Sequence, residues 1–233
     1  MLTFPTDLFA PGGFQPKRIG GSFTGGASVS NIPQSAMTTG GFLWGVDFSK
    51  VILWDIAKYK IWESFVSRSD SGATPFVMPL CIRLVQPFTN PRKEPGTGNS
   101  DSSTFSDGAL WGSGQITAAI IGSAALRATS AHISCVGGVD LTGGEFFTVW
   151  HSLVGQRLYH VSTASKREDG TFDITFRPPL RQATPDGINL DFDDPRCQMQ
   201  VAPNSDPSAP LDMLKRGSAQ VSFIESFRPA TDD

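Results

Sequence analysis

Residues 144–201, GEFFTVWHSLVGQRLYHVSTASKREDGTFDITFRPPLRQATPDGINLDFDDPRCQMQV, decide the fold class. Phe147, Val149 and Leu153 fall at even spacings, and the extended run 157–161, Arg-Leu-Tyr-His-Val, follows them. Residues 171–176, TFDITF, alternate polar and apolar, which sets one strand face on a core and the other toward water. Pro178 and Pro179 end that strand, because proline cannot donate to a central ladder. Asp186-Gly187 marks a turn, and residues 188–192, INLDF, alternate again. The order is strand, turn, strand, Pro-Pro, loop, strand, turn, strand. Such a module builds a surface and contains no catalytic motif.

The rest of the chain agrees with a mainly β reading. Its 233 residues suit one large β-domain or one domain with a sizeable insertion. The 24 glycines and 17 prolines indicate many turns and few long helices. Seventeen phenylalanines against two tyrosines predict a Phe-packed core, with some of that phenylalanine available to a subunit interface. A net charge of -3 argues against a phosphate-binding surface, which would be basic.

Residues 1–41 are rich in Gly, Ser, Pro and Thr and read as an extended arm or loop. Phe4, Phe9, Phe14 and Phe23 favour an arm that orders on a neighbour, since disordered tails are poor in aromatics. Residues 42–230 read as one β-rich domain. Val51-Ile52-Leu53-Trp54 looks like a strand end, and Asp55 then caps a helix over 55–68. Lys58, Ile61, Trp62, Phe65 and Val66 share one face of it, and Gly72 reads as its stop. Residues 80–85 suggest a strand, and residues 87–113 form a long polar insertion, the length of loop that is usually functional or mobile. Phe105, Leu110 and Trp111 anchor its end. Residues 116–126, dominated by small side chains, suggest a short helix or a close-packed passage. Residues 131–136 read as a strand, Gly137-Gly138 and Gly143-Gly144 as hairpin turns, and residues 219–227 as the strand that closes the sheet.

The chemistry-bearing residues are sparse. Cys81, Cys135 and Cys197 are odd in number and lack CxxC spacing, so they read as small hydrophobes instead of a disulfide framework or zinc site. His132, His151 and His160 accompany no HxH or HExxH, and Asp191, Asp193 and Asp194 lack the glycine and glutamate of an EF-hand. No hydrolase elbow, Walker loop or dinucleotide fingerprint occurs. Neither catalytic, cofactor nor metal residues are expected. No run of about 20 apolar residues is present for a membrane helix.

The phrase FRPPLR at 176–181, with DG-x-N-L-x-F-x-x-P-R-C-x-M at 186–199, resembles the distal tail proteins of long-tailed bacteriophages. The resemblance is clearest over 144–201 and weaker over 20–41 and at FSDGAL, residues 105–110. It implies a tail-tube-like β-sandwich or barrel with one flanking helix and long loops, assembled as a ring, commonly a hexamer. Its implied partners are copies of itself, a tail tube protein and a tip hub protein, with DNA only as passing cargo. The implied setting is the virion tail, assembled in the host cytoplasm without membrane insertion. Arg177, Arg181, Phe105 and Trp111 are the expected subunit-interface residues, the arginines reaching Asp186, Asp191 or Asp193 of a neighbour. Two rivals stay open: a carbohydrate-binding β-sandwich using an exposed Trp111 or Trp150, and a glycan-degrading enzyme, which needs a carboxylate pair in a cleft.

Overall fold

In a computed structural model the chain is mainly β with one α-helix. The structure describes residues 2–6, 8–9, 16–27, 33–80, 85–87, 116–210 and 217–228. It divides into two compact units, one of Met1–Pro79 with Cys197–Asp233 and one of Leu80–Arg196. The expected boundary at residue 41 and the single domain over 42–230 give way to this division. The reason is packing: Phe4 and Phe9 are buried in the first unit, and the chain completes that unit only with its last strands.

The first unit is built on a five-stranded sheet that curves as a half-barrel. Its strands are β1 (Pro16–Ile19), β4 (Leu43–Leu53), β5 (Phe76–Pro79), β12 (Arg196–Val201) and β13 (Gly217–Glu225), in the order β1-β4-β13-β12-β5. Gly217, Ala219, Val221 and Phe223 of β13 alternate inward, as its sequence predicts, but the strand lies at the centre of the sheet instead of closing it. The helix α1 (Ile56–Arg68) starts where expected, with the Asp55 carboxylate accepting the Ala57 N–H at 3.1 Å. It ends earlier than Gly72. Ser69 closes it, its N–H donating to the Phe65 carbonyl and its hydroxyl to the Val66 carbonyl. Gly72 lies in the following 3-10 turn at φ +93°.

Trp62 and Phe65 are the two buried residues of α1, while Ile61 of the expected face is 39% exposed. They meet a cluster of rings. Phe4 lies 4.9–6.4 Å, centroid to centroid, from Phe9, Phe48, Trp62, Phe65, Phe76 and Phe223. Its N–H and the Val77 N–H complete a short parallel pairing of residues 2–4 with β5. The expected arm is thus partly core. It also supplies β1 to the five-stranded sheet and, further on, a hairpin of β2 (Ser22–Ala27) and β3 (Pro33–Met37), which among the described residues pair only with each other.

The second unit is a six-stranded antiparallel sheet. Its strands are β6 (Thr117–Ile120), β7 (Ser130–Val136), β8 (Phe146–His151), β9 (Gly155–Lys166), β10 (Phe172–Arg177) and β11 (Leu190–Asp191), in the order β11-β8-β9-β10-β7-β6. The two edges meet: the Ile120 N–H donates to the Ile188 carbonyl and the Gly187 N–H to the Ile120 carbonyl, nearly closing a barrel. Phe147, Tyr159, Phe172, Phe176 and Phe192 fill it. The alternation read in residues 171–176 is real, with Phe172, Ile174 and Phe176 inside. Residues 117–120 are strand, correcting the helix or passage expected there, because Ala118 and Ile120 point inward at a period of two. Gly137-Gly138 and Gly143-Gly144 do not close hairpins, since β7 pairs with β6 and β10 while β8 pairs with β9 and β11. The expected strand over 80–85 and the loop over 87–113 lie, apart from residues 80, 85 and 87, outside the described residues. No described helix is long and apolar enough to cross a membrane.

Candidate interaction surface

Residues 178–184, which follow β10, run antiparallel to residues 124–128. The Arg127 N–H donates to the Leu180 carbonyl, the Leu180 N–H to Ala128, and Ala124 and Thr184 exchange both of their bonds. Leu126 and Arg127 form the tip of a turn in which the Ala128 N–H donates to the Ala125 carbonyl. The Gln182 carboxamide in turn accepts the Leu153 N–H at 3.0 Å and donates to the Ser152 hydroxyl at 2.9 Å. Three loops are therefore laced side by side at one end of the barrel. They present Leu126 and Leu153, 55% and 74% exposed, with Trp150 of β8 65% exposed beside the Leu153 loop.

Of the two expected arginines, Arg181 lies on the 178–184 segment, and Arg177 ends β10 opposite His160 in the middle of β9. Arg177 is half-buried and its guanidinium donates to the Phe176 carbonyl at 2.9 Å; no carboxylate pairs with it among the described residues. The Arg181 N–H donates to the Tyr159 hydroxyl at 3.0 Å, which anchors the segment to the core. The aspartates expected to receive them are engaged in turns of the same unit. Asp186 accepts the Gly122 N–H, Asp191 accepts those of Asp193 and Asp194, and Asp193 accepts that of Ile116. Phe105 and Trp111, expected as interface residues, lie outside the described residues. Sequence reading missed Arg127, whose left-handed φ of 67° holds an exposed guanidinium beside Leu126.

Several other titratable groups are tied into the fold. His151 is buried, 2.7 Å from the Tyr159 hydroxyl through Nε2, and burial, with Arg157 adding to it, lowers its pKa to about 4. His160 stands on β9 against the Phe146 ring, and His132 bonds Asp173 at 3.0 Å. No group of three metal-binding side chains occurs among the described residues. Asp194 pairs with Arg196, and burial, with the Asp194 charge, raises the Asp191 pKa. Cys197 is buried. Cys135 is half-buried, and burial, with the carboxylates of Glu145, Asp140 and Asp193, pushes its thiol up to about 11. Cys81 lies outside the described residues. Glu145 accepts the N–H groups of Thr142 and Gly143, and Glu225 accepts that of Trp44.

Searches against protein-family models and against curated proteins find no match to this chain. The class that the two units define is a mainly β protein with one helix.

Proposed function

We propose that the chain is a non-enzymatic structural subunit of a phage tail tip, similar to the distal tail proteins, and forms a ring that joins the tail tube to the tip hub. Copies associate side by side, commonly as a hexamer, around a lumen that DNA crosses as cargo. The ring belongs to the virion tail, and its subunits come together in the host cytoplasm. The FRPPLR phrase and the mainly β fold with one helix support this reading. The observation that carries it is the β2–β3 hairpin. Phe23 and Met37 are 58% and 61% exposed on it, so an element paired only with itself among the described residues holds apolar side chains in water. Such a patch is the usual mark of a protein partner. The test is light scattering across a concentration series. A single closed multiple of the subunit mass is expected, and it should be lost when Phe23 and Met37 are both replaced by serine.

A second reading, a carbohydrate-binding module, draws on Trp150, an exposed indole on a strand with Gln156 opposite it. A glycan array with Trp150→Ala as control separates the two.

A further inference from the structure

We infer that the groove between α1 and residues 2–5 binds an extended acidic peptide of a partner protein. Two carboxylates of the peptide meet Lys60 and Arg68, and an apolar side chain between them enters the groove. The inference goes beyond the ring reading and does not rest on it.

The groove lies wholly within the first unit and has a volume of about 250 Å³. Leu2 and Pro5 line it from one side, and Ile61 and Phe65 of α1 from the other. Lys60 and Arg68 belong to the same lining. Helix spacing explains this set. Residues 60, 64 and 68 recur every four positions, so they stack along one line of α1. Ile61 and Phe65 form the neighbouring line; Phe65 reaches the core, while Ile61 stays 39% exposed. Both cations are exposed, and among the described residues no carboxylate pairs with either. Glu63, the one acid of the helix, lies against the Tyr59 hydroxyl.

The separation of the cations selects the ligand. Eight residues of helix set their backbones about 12 Å apart. A single carboxylate or phosphate meets both only if both side chains fold toward it. An extended chain needs no such folding: its residues i and i+4 lie about 13 Å apart on one face, with i+2 between them. Acids at i and i+4 then meet Lys60 and Arg68, while an apolar residue at i+2 covers Leu2, Pro5 and Ile61. Backbone groups are free there as well. The Val77 N–H donates to the Leu2 carbonyl and the Val77 carbonyl accepts the Phe4 N–H, so the N–H and C=O of Thr3 point away from β5. No described residue bonds them. Thr3 lines the groove, which leaves an extended peptide a main-chain donor and acceptor beside it.

Fluorescence anisotropy with two labelled, C-terminally amidated pentapeptides tests this. Asp-Ser-Leu-Ser-Asp carries its acids at i and i+4, and Ser-Asp-Leu-Asp-Ser has the same composition with the acids two positions apart. The first should bind the purified chain saturably, ~threefold or more tighter than the second, since only its spacing engages both cations. Lys60→Glu combined with Arg68→Glu should weaken its binding ~tenfold or more, because two attractions become repulsions. Both positions are exposed, so the variant should melt as the wild type does. Should it melt lower, Lys60→Gln with Arg68→Gln is read instead, with a loss of ~threefold or more expected. Failure of the first peptide to bind would overturn the inference. So would equal affinity for the two peptides, or wild-type affinity in the altered chain. Each of these results leaves the ring reading standing, since light scattering tests that separately.

Discussion

His151 Nε2 lies 2.7 Å from the Tyr159 hydroxyl, and that hydroxyl also accepts the Arg181 N–H at 3.0 Å. Burial, with the nearby Arg157 charge, holds the imidazole of His151 neutral at pH 7, and which of the two groups donates in this bond follows the tautomer. A buried histidine thus links β8, β9 and the FRPPLR segment.

This link makes the second unit sensitive to acid. An unfolded histidine titrates near 6.5, while His151 in the fold titrates near 4. Below pH 6.5 the unfolded chain takes up a proton that the folded barrel refuses, so stability is full above that value. It falls as pH drops toward 4 and levels off below it. The total loss is about 3 kcal/mol. Urea titrations at pH 7 and pH 4.5 should show it, and His151→Gln should lose distinctly less over the same interval. Identical pH dependence in the two proteins would refute the neutral assignment.

Trp62→Ala should destabilise the first unit by about 3–5 kcal/mol, the range for a large aromatic removed from a core. Trp62 is fully buried among Phe4, Phe9 and Phe65, and its indole N–H donates to the Pro207 carbonyl at 2.8 Å. An unchanged melting temperature would place the helix face wrongly.

Two glycines separate strain from crowding. Gly72 has φ +93° and a Cβ there would stand 2.8 Å from the Val201 carbonyl oxygen, whereas Gly170 has φ +83° and open space around it. Gly170→Ala should cost about 1 kcal/mol through the left-handed backbone alone. Gly72→Ala should cost distinctly more, about 2–3 kcal/mol, because the carbonyl must also shift. Equal losses in chemical denaturation would show that the crowding is relieved for free.

Cys135 should resist alkylation at pH 7.5. Its thiol titrates near 11 and is half-buried, so almost none is the reactive thiolate. Peptide-resolved mass spectrometry after iodoacetamide treatment should find it modified far more slowly than a cysteine in a short peptide. Reaction at the peptide's rate would contradict the placement.

Much of the local structure was legible. The alternation at 171–176 and the Asp55 cap with Trp62 and Phe65 behind it are written in short-range spacing, and both appear as read. What depends on distant partners was not. Residues 117–120 hide a period of two, because alanine marks an inward position weakly. Gly137-Gly138 and Gly143-Gly144 look like hairpin turns, yet the strands beside them choose other neighbours. Phe4 and Phe9 sit in glycine-rich sequence, and only the rings of Phe48, Phe76 and Phe223 explain why they are core. The arginines at 177 and 181 were visible, but Arg127 joins the 178–184 segment through a register set by Leu180 and Thr184.

The most direct test of the account is negative-stain electron microscopy of the purified chain, alone and mixed with a tail tube subunit. The account predicts closed rings of uniform size around a central opening, stacking on the tube when it is supplied. Fields of separate single particles in both samples, at every concentration tried, would contradict it.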